Sequence, residues 1–193
     1  MQAFQALGDN TLLIYSNFLS SKEADLCYTK LMKNIEWQTR EITLFGKSML
    51  MPRLTAWYGD EGVEYTYSKN KEIALPWTEE LLFLKSKLEV ELSSTFNSVL
   101  LNLYRNENDS MGWHADNEPE LGKHPLIASI SLGATRRFRI KNLKTKQTQG
   151  FDLEHGSLLV MQGDFQEKWN HAIPKTKREV GPRINLTFRK IVS

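Results

Sequence analysis

The chain is 193 residues long, with 40% apolar and 25% charged residues, and 25 Lys and Arg stand against 23 Asp and Glu. These proportions describe a soluble globular domain and exclude a disordered or collagen-like chain, while a net charge of +2 says little about partners. Apolar runs such as Leu81 to Leu84 stop at four residues, far short of the roughly 18 a membrane span needs, and the lone cysteine, Cys27, excludes a disulfide framework or a multi-cysteine metal site.

The start, Met1-Gln2-Ala3-Phe4, lacks the basic and apolar regions of a signal peptide, so an intracellular protein is expected, in a bacterial cytoplasm rather than a nucleus. No repeat or linker divides the chain, and one compact unit is expected. Ser20-Ser21-Lys22-Glu23 is a capping box, and Cys27, Leu31 and Ile35 follow on one face of a helix, which makes Cys27 core packing. Pro76 is expected to open a second helix. Thr78, Glu79 and Glu80 suit its first turn, and Leu81, Leu84, Leu88 and Leu92 form its buried stripe.

From about Phe96 the period becomes two, with strands expected at Ser98–Tyr104, Leu126–Leu132, Arg137–Lys141, Gly156–Met161 and Arg183–Ile191. Helices first and strands later indicate an α+β chain whose C-terminal half is a sandwich or barrel. Between Arg136 and Lys146 lie six basic residues and no acidic one, either a solvated face or a patch for phosphates.

Of four histidines, His114 is the informative one, in Trp113-His114-Ala115-Asp116. In an extended segment residues i and i+2 project to the same side, so an imidazole and a carboxylate can reach one point. A distant second histidine would complete a two-His-one-carboxylate set, which leaves positions on Fe(II) open for an organic chelator and dioxygen. His171 is the favoured third ligand, and His155, in an apparent turn before a strand, is the competitor. In Arg183-Ile184-Asn185-Leu186-Thr187-Phe188-Arg189, Ile184, Leu186 and Phe188 face one way and the polar residues the other. An outer strand with a wet face is one reading. Two arginines flanking short hydrogen-bonding residues better suit capture of a carboxylate. Asn102 and Tyr104 form a matching pair on another strand, opposite Leu101 and Leu103.

His114-x-Asp116, His171 and Arg183-x-Asn185-x-Thr187-x-Arg189 resemble the AlkB family of Fe(II)/2-oxoglutarate dioxygenases. So do Asn102-Leu103-Tyr104-Arg105-Asn106, the stretch from Ile127 to Ala134, His155-Gly156-Ser157-Leu158-Leu159, and the stretch from Pro52 to Gly59. The likeness covers roughly residues 40 to 192 and is strongest to the second and third human members. It implies a double-stranded β-helix (jelly roll) core with supporting N-terminal helices. Residues 1–95 would be an extension carrying helices and a nucleotide-recognition segment, packed on a dioxygenase core at 96–193. It implies Fe(II) at His114, Asp116 and His171, and 2-oxoglutarate among Asn102, Tyr104, Arg183, Asn185, Thr187 and Arg189. Arg183 would take the distal carboxylate, and Arg189 would stand at the iron end. Dioxygen is the second cosubstrate.

The implied activity is oxidative demethylation of N1-methyladenine and N3-methylcytosine in alkylated DNA. RNA or single strands are the alternative substrate, and a non-catalytic nucleic-acid-binding module is the remaining one. Tyr65, Thr66 and Tyr67 resemble the segment that holds the flipped base, though such a pair of tyrosines also suits one strand face. Leu44-Phe45-Gly46-Lys47 resembles a hairpin that wedges into duplex DNA, or is an ordinary turn. Arg53 and the Arg137/Arg139/Lys141 face are candidates for phosphates. Asn117 stands where those human members have a second aspartate, which bears on base preference, and Glu118 is a candidate to compensate. A monomer with no membrane association and no obligate protein partner is expected.

Overall fold

The computed structural model describes residues 4–5, 7, 9–44, 47–67 and 70–192. β1 (Phe4–Gln5) and β2 (Leu12–Tyr15) precede helix α1 (Ser21–Asn34). Next come β3 (Gln38–Leu44), β4 (Lys47–Gly59), β5 (Glu64–Tyr67), β6 (Asn70–Ile73), β7 (Leu75–Pro76) and helix α2 (Glu79–Leu92). The remainder is β8 (Ser98–Tyr104), β9 (Met111–His114), β10 (Ile127–Gly133), β11 (Arg136–Asn142), β12 (Thr148–Leu153), β13 (Ser157–Met161), the single turn α3 (Phe165–Lys168), β14 (Trp169–Ile173) and β15 (Arg183–Arg189).

The capping box forms as expected. The Glu23 backbone N–H donates to Ser20 Oγ at 3.3 Å, and the Ser20 N–H donates to the Glu23 carboxylate at 2.8 Å. The second helix begins later than Pro76 suggested. Thr78 is its cap, accepting from the Leu81 N–H, because Leu75 and Pro76 are held in a parallel pairing with Tyr58 and Gly59. Strands are also not confined to the second half, since seven of them precede α2. β4 escaped notice because Pro52 interrupts it. The β3–β4 register shifts between Thr39 and Glu41, opposite this proline, so no regular ladder bond is demanded of it.

The large sheet runs β1-β2-β13-β10-β15-β8-β4-β3, with β7 added to β4, and a smaller sheet runs β12-β11-β14-β9. Strands from before residue 95 therefore extend the large sheet on both sides of its centre. The layering follows from period-two alternation. Ala128, Ile130, Leu132, Leu158, Val160, Ile184, Leu186 and Phe188 face α1 and α2, and they share one core with Leu31, Leu84 and Leu88. The opposite face gives Ile127, Leu159 and Met161 to a second core beneath the smaller sheet, with Phe138, Ile140 and Ile173. Two facing antiparallel sheets with helices outside one of them make the double-stranded β-helix. The site lies between the sheets, where this second face turns polar.

Candidate functional site

Three strands of the large sheet build one wall. Register places Arg183 beside Tyr104 and Gly133, and Asn185 beside Asn102 and Ser131. None of the polar residues of β15 is wet: Arg183 is 1% exposed, and Asn185, Thr187 and Arg189 are buried with it. That removes the reading of β15 as an outer strand. One Arg183 Nη donates to Ser131 Oγ at 2.8 Å, and the guanidinium lies 5.3 Å from the Tyr104 ring centre. Its Nε and other Nη have no hydrogen-bond partner. Burial pulls its pKa down to about 10, so it stays charged at neutral pH. Asn185 donates to Ser129 Oγ at 2.7 Å and accepts from Thr187 Oγ1 at 3.1 Å. Ser129 and Ser131 went unremarked in the sequence, although two serines alternating within apolar Ile127–Gly133 carried the signal.

The smaller sheet and the loop after it supply the other wall. His171 on β14 pairs directly with His114 at the end of β9, which brings the ring centres within 4.1 Å. Asp116 lies just beyond. Its Oδ1 is 3.8 Å from His114 Nε2, and its Oδ2 is 3.9 Å from His171 Nε2. The three potential ligand atoms lie within 4.8 Å of one another, a spacing that can hold one metal ion. Burial works against ionising Asp116, but Arg189, donating to Oδ1 at 2.8 Å, and the two imidazoles outweigh it and hold the pKa at about 2. Burial, aided by His114, pushes His171 down to about 3, so it is the neutral imidazole that a metal takes. His155 is elsewhere, with Nδ1 accepting from the Gly133 N–H and Nε2 3.2 Å from Asp25.

Gln166, on α3 immediately before β14, was not foreseen. Its side-chain oxygen accepts the Asp116 backbone N–H at 2.9 Å, clasping two ligand-bearing segments 50 residues apart. Gln166→Leu should weaken Co(II) binding by about 10- to 100-fold, as loss of outer-shell support does. It should also shift the visible Co(II) spectrum, while Gln166→Glu, which keeps an acceptor, recovers most of both. Wild-type affinity and spectrum in the leucine variant would refute this role.

A cavity of about 170 Å³ meets the cluster from the other side, lined by Met51, Arg53, Trp57, Met111 and Glu118 together with His114 and Asp116. Two expectations are corrected here. Arg53 is not a phosphate ligand at the surface: it is 5% exposed, and its Nε donates to Asn102 Oδ1 at 2.7 Å. Asn117 does not face this cavity. It is exposed, over a surface depression with Lys123 and Glu167 that Glu118 also borders, whereas Glu118 reaches the cavity as well and buries one carboxylate oxygen. Of the basic block, Arg136 is likewise internal, donating to the carbonyls of Asn106, Asp109 and Pro174. Arg137 and Arg139 remain exposed. Phe45 and Gly46, and the side chains of Lys47, Tyr65, Thr66 and Tyr67, lie outside the described residues.

A model of the 2OG-Fe(II) oxygenase superfamily matches residues 11–189. The human alpha-ketoglutarate-dependent dioxygenase alkB homolog 3 is 40% identical over 194 positions, which span 95% of this chain and 67% of that protein. The human DNA oxidative demethylase ALKBH2 is 36% identical, over 92% of this chain and 72% of that protein. Among solved structures, OsALKBH1 superposes with a TM-score of 0.65 at 16% identity, covering 93% of this chain and 96% of that one, a likeness of fold alone. With a His-Asp-His cluster, its Asp116 and His171 buried, beside a guanidinium that still has donors to offer, the chain belongs to the 2OG-Fe(II) oxygenase superfamily and, within it, to the AlkB family.

Proposed function

We propose that this protein removes methyl groups from alkylated nucleic-acid bases by oxidation, acting on N1-methyladenine and N3-methylcytosine in DNA. One observation carries the reading. The His114–Asp116–His171 cluster stands where two cavities meet, one lined by Arg183, Asn185 and Tyr104 and the other by Trp57, Met51 and Glu118.

The residues fit the cofactors of the family, Fe(II), 2-oxoglutarate and dioxygen. Arg183 and Arg189 against Asp116 leave an excess of positive charge in the first cavity, suited to a dicarboxylate. The unpartnered Nε and Nη of Arg183 leave it donors to offer to its distal carboxylate. His114, His171 and Asp116 hold the metal. When bound, iron with 2-oxoglutarate supplies the oxidation that consumes dioxygen, releases succinate and carbon dioxide, and turns the base methyl into formaldehyde.

The protein's own part is placement and exclusion of water. Arg189 fixes one oxygen of Asp116, so the carboxylate cannot rotate away from the imidazoles. Asn102 is held by Arg53, which keeps its amide against Asn185 on the cosubstrate wall. In the second cavity Trp57 and Met51 give a base flat and apolar surfaces, and Glu118 gives a carboxylate. Both lesions are cationic and carry an amino group beside the methylated nitrogen, which an acidic side chain suits. The relatives named as an alkB homologue and as a DNA oxidative demethylase support the same substrate class.

The test is mass spectrometry of oligonucleotides bearing each lesion after incubation with protein, Fe(II), ascorbate and 2-oxoglutarate. Loss of one methylene mass with matching formaldehyde is expected. Unchanged oligonucleotides alongside continuing succinate formation would overturn the substrate and leave the cofactors standing.

A further inference from the structure

The outer face of the smaller sheet, turned away from the cavities, has an unusual make-up. Trp113 is 42% exposed there, on the edge strand β9, beside His114 whose ring lies on the inner side. The Arg139 guanidinium stands 5.8 Å over the indole. Arg137, Arg139 and Lys141 alternate along β11 and point outward. Their neighbours keep the face flat. Arg139 pairs with Gly150 on one side and Ala172 on the other, and a Cβ on Gly150 would come 2.6 Å from Arg137 Nε, so that side chain lies down over the glycine. Arg137 has Asp152 at 3.2 Å. Arg139 and Lys141 instead face uncharged Gly150, Thr148, Ala172 and Asn170 across both neighbouring strands. Exposed Lys144 and Lys146 continue the positive charge into the β11–β12 turn.

We propose that this face is a second nucleic-acid contact, in which Trp113 stacks an unpaired base next to the nucleotide being repaired and Arg139 and Lys141 take the flanking phosphates. It rests on the function proposed above. The occupant is single-stranded nucleic acid, for a physical reason. An indole held by a guanidinium offers a π-face that any base can use, and unpaired bases alone are free to stack on it. The cations, about 6.8 Å apart along the strand, are spaced to take successive phosphates of that strand. Trp113 and His114 are consecutive on an edge strand. A strand whose flipped base lies against His114 therefore rounds that edge and meets the indole within one nucleotide step.

The experiment compares wild type, Trp113→Ala, Trp113→Phe and Arg139→Ala on N3-methylcytosine in single strands of roughly 12 nucleotides, DNA and RNA, and in a trinucleotide too short to reach both places. Trp113→Ala and Arg139→Ala should raise KM for the longer strands on the order of tenfold, as loss of one stacked base does, with kcat little changed. Trp113→Phe should recover most of this. The trinucleotide should show no such ratio. Arg139→Ala should also lower the salt dependence of strand binding by about one phosphate's worth. Wild-type KM for both longer strands would overturn the proposal. Equal losses on trinucleotide and long strand would also do so, by showing that Trp113 acts through His114. If wild type repairs no oligonucleotide, the proposed function fails. Fluorescence anisotropy of an unmodified single strand still decides this face, since unchanged binding in Trp113→Ala refutes it and weakened binding supports it.

Discussion

Asp116→Ala should lower demethylation by at least about 10³-fold and remove measurable Fe(II) binding, the largest effect expected of any single change in this protein. Two losses coincide. The metal loses its only anionic ligand among the three, and Arg189 loses the buried acceptor 2.8 Å from its Nη. Breaking a buried pair from one side costs about 3–5 kcal/mol, so this variant should also melt earlier than wild type. Asp116→Asn separates the two effects. It keeps the shape and an acceptor for Arg189 but not the charge, so it should restore much of the stability and little of the metal affinity. Isothermal titration with Co(II) and thermal unfolding, run on both variants, read the two quantities apart. An alanine variant that still bound metal with wild-type affinity would remove Asp116 from the ligand set.

Arg183→Met should weaken 2-oxoglutarate binding by about 10²- to 10³-fold, the cost of deleting one partner of a buried charged pair. The sign of its effect on the ligand-free protein is the more telling expectation. Arg183 is 1% exposed with two donor nitrogens unmatched, so its hydrogen bond to Ser131 and its contact with the Tyr104 ring offset only part of the cost of burying the charge until an anion arrives. Methionine of similar length should therefore leave the ligand-free fold as stable as wild type or more so. In wild type with Mn(II), 2-oxoglutarate at a hundredfold excess over Kd should add about 2.7 kcal/mol, several degrees of melting temperature, and in the variant almost none. A methionine variant that unfolds early and still responds to the cosubstrate would make Arg183 a structural residue.

The polar wall formed by β15 was legible in the sequence because a strand's period is two. Once β15 was read as a strand, Ile184, Leu186 and Phe188 had to face the helices, and the two arginines had to share the other side. The misplaced residue did not come from this rule: Asn117 was assigned from the resemblance alone, whereas alternation from His114 and Asp116 turns it to the opposite side, ahead of the short 3-10 segment at Pro119–Leu121. Arg53 was misread because β4 was not recognised, with Pro52 inside it, so nothing indicated that this arginine would be buried against Asn102. Gln166 had no signal. A hydrogen bond from a one-turn helix to a backbone amide 50 residues away leaves no periodicity and no motif, only a three-dimensional coincidence.

The most direct test is a crystal structure grown anaerobically with Mn(II) and 2-oxoglutarate, with the metal located by its anomalous scattering. The account predicts one ion coordinated by His114, Asp116 and His171, chelated by the cosubstrate, whose far carboxylate is paired with Arg183. An ion bound elsewhere, or a cosubstrate lying with neither end against Arg183, would contradict it.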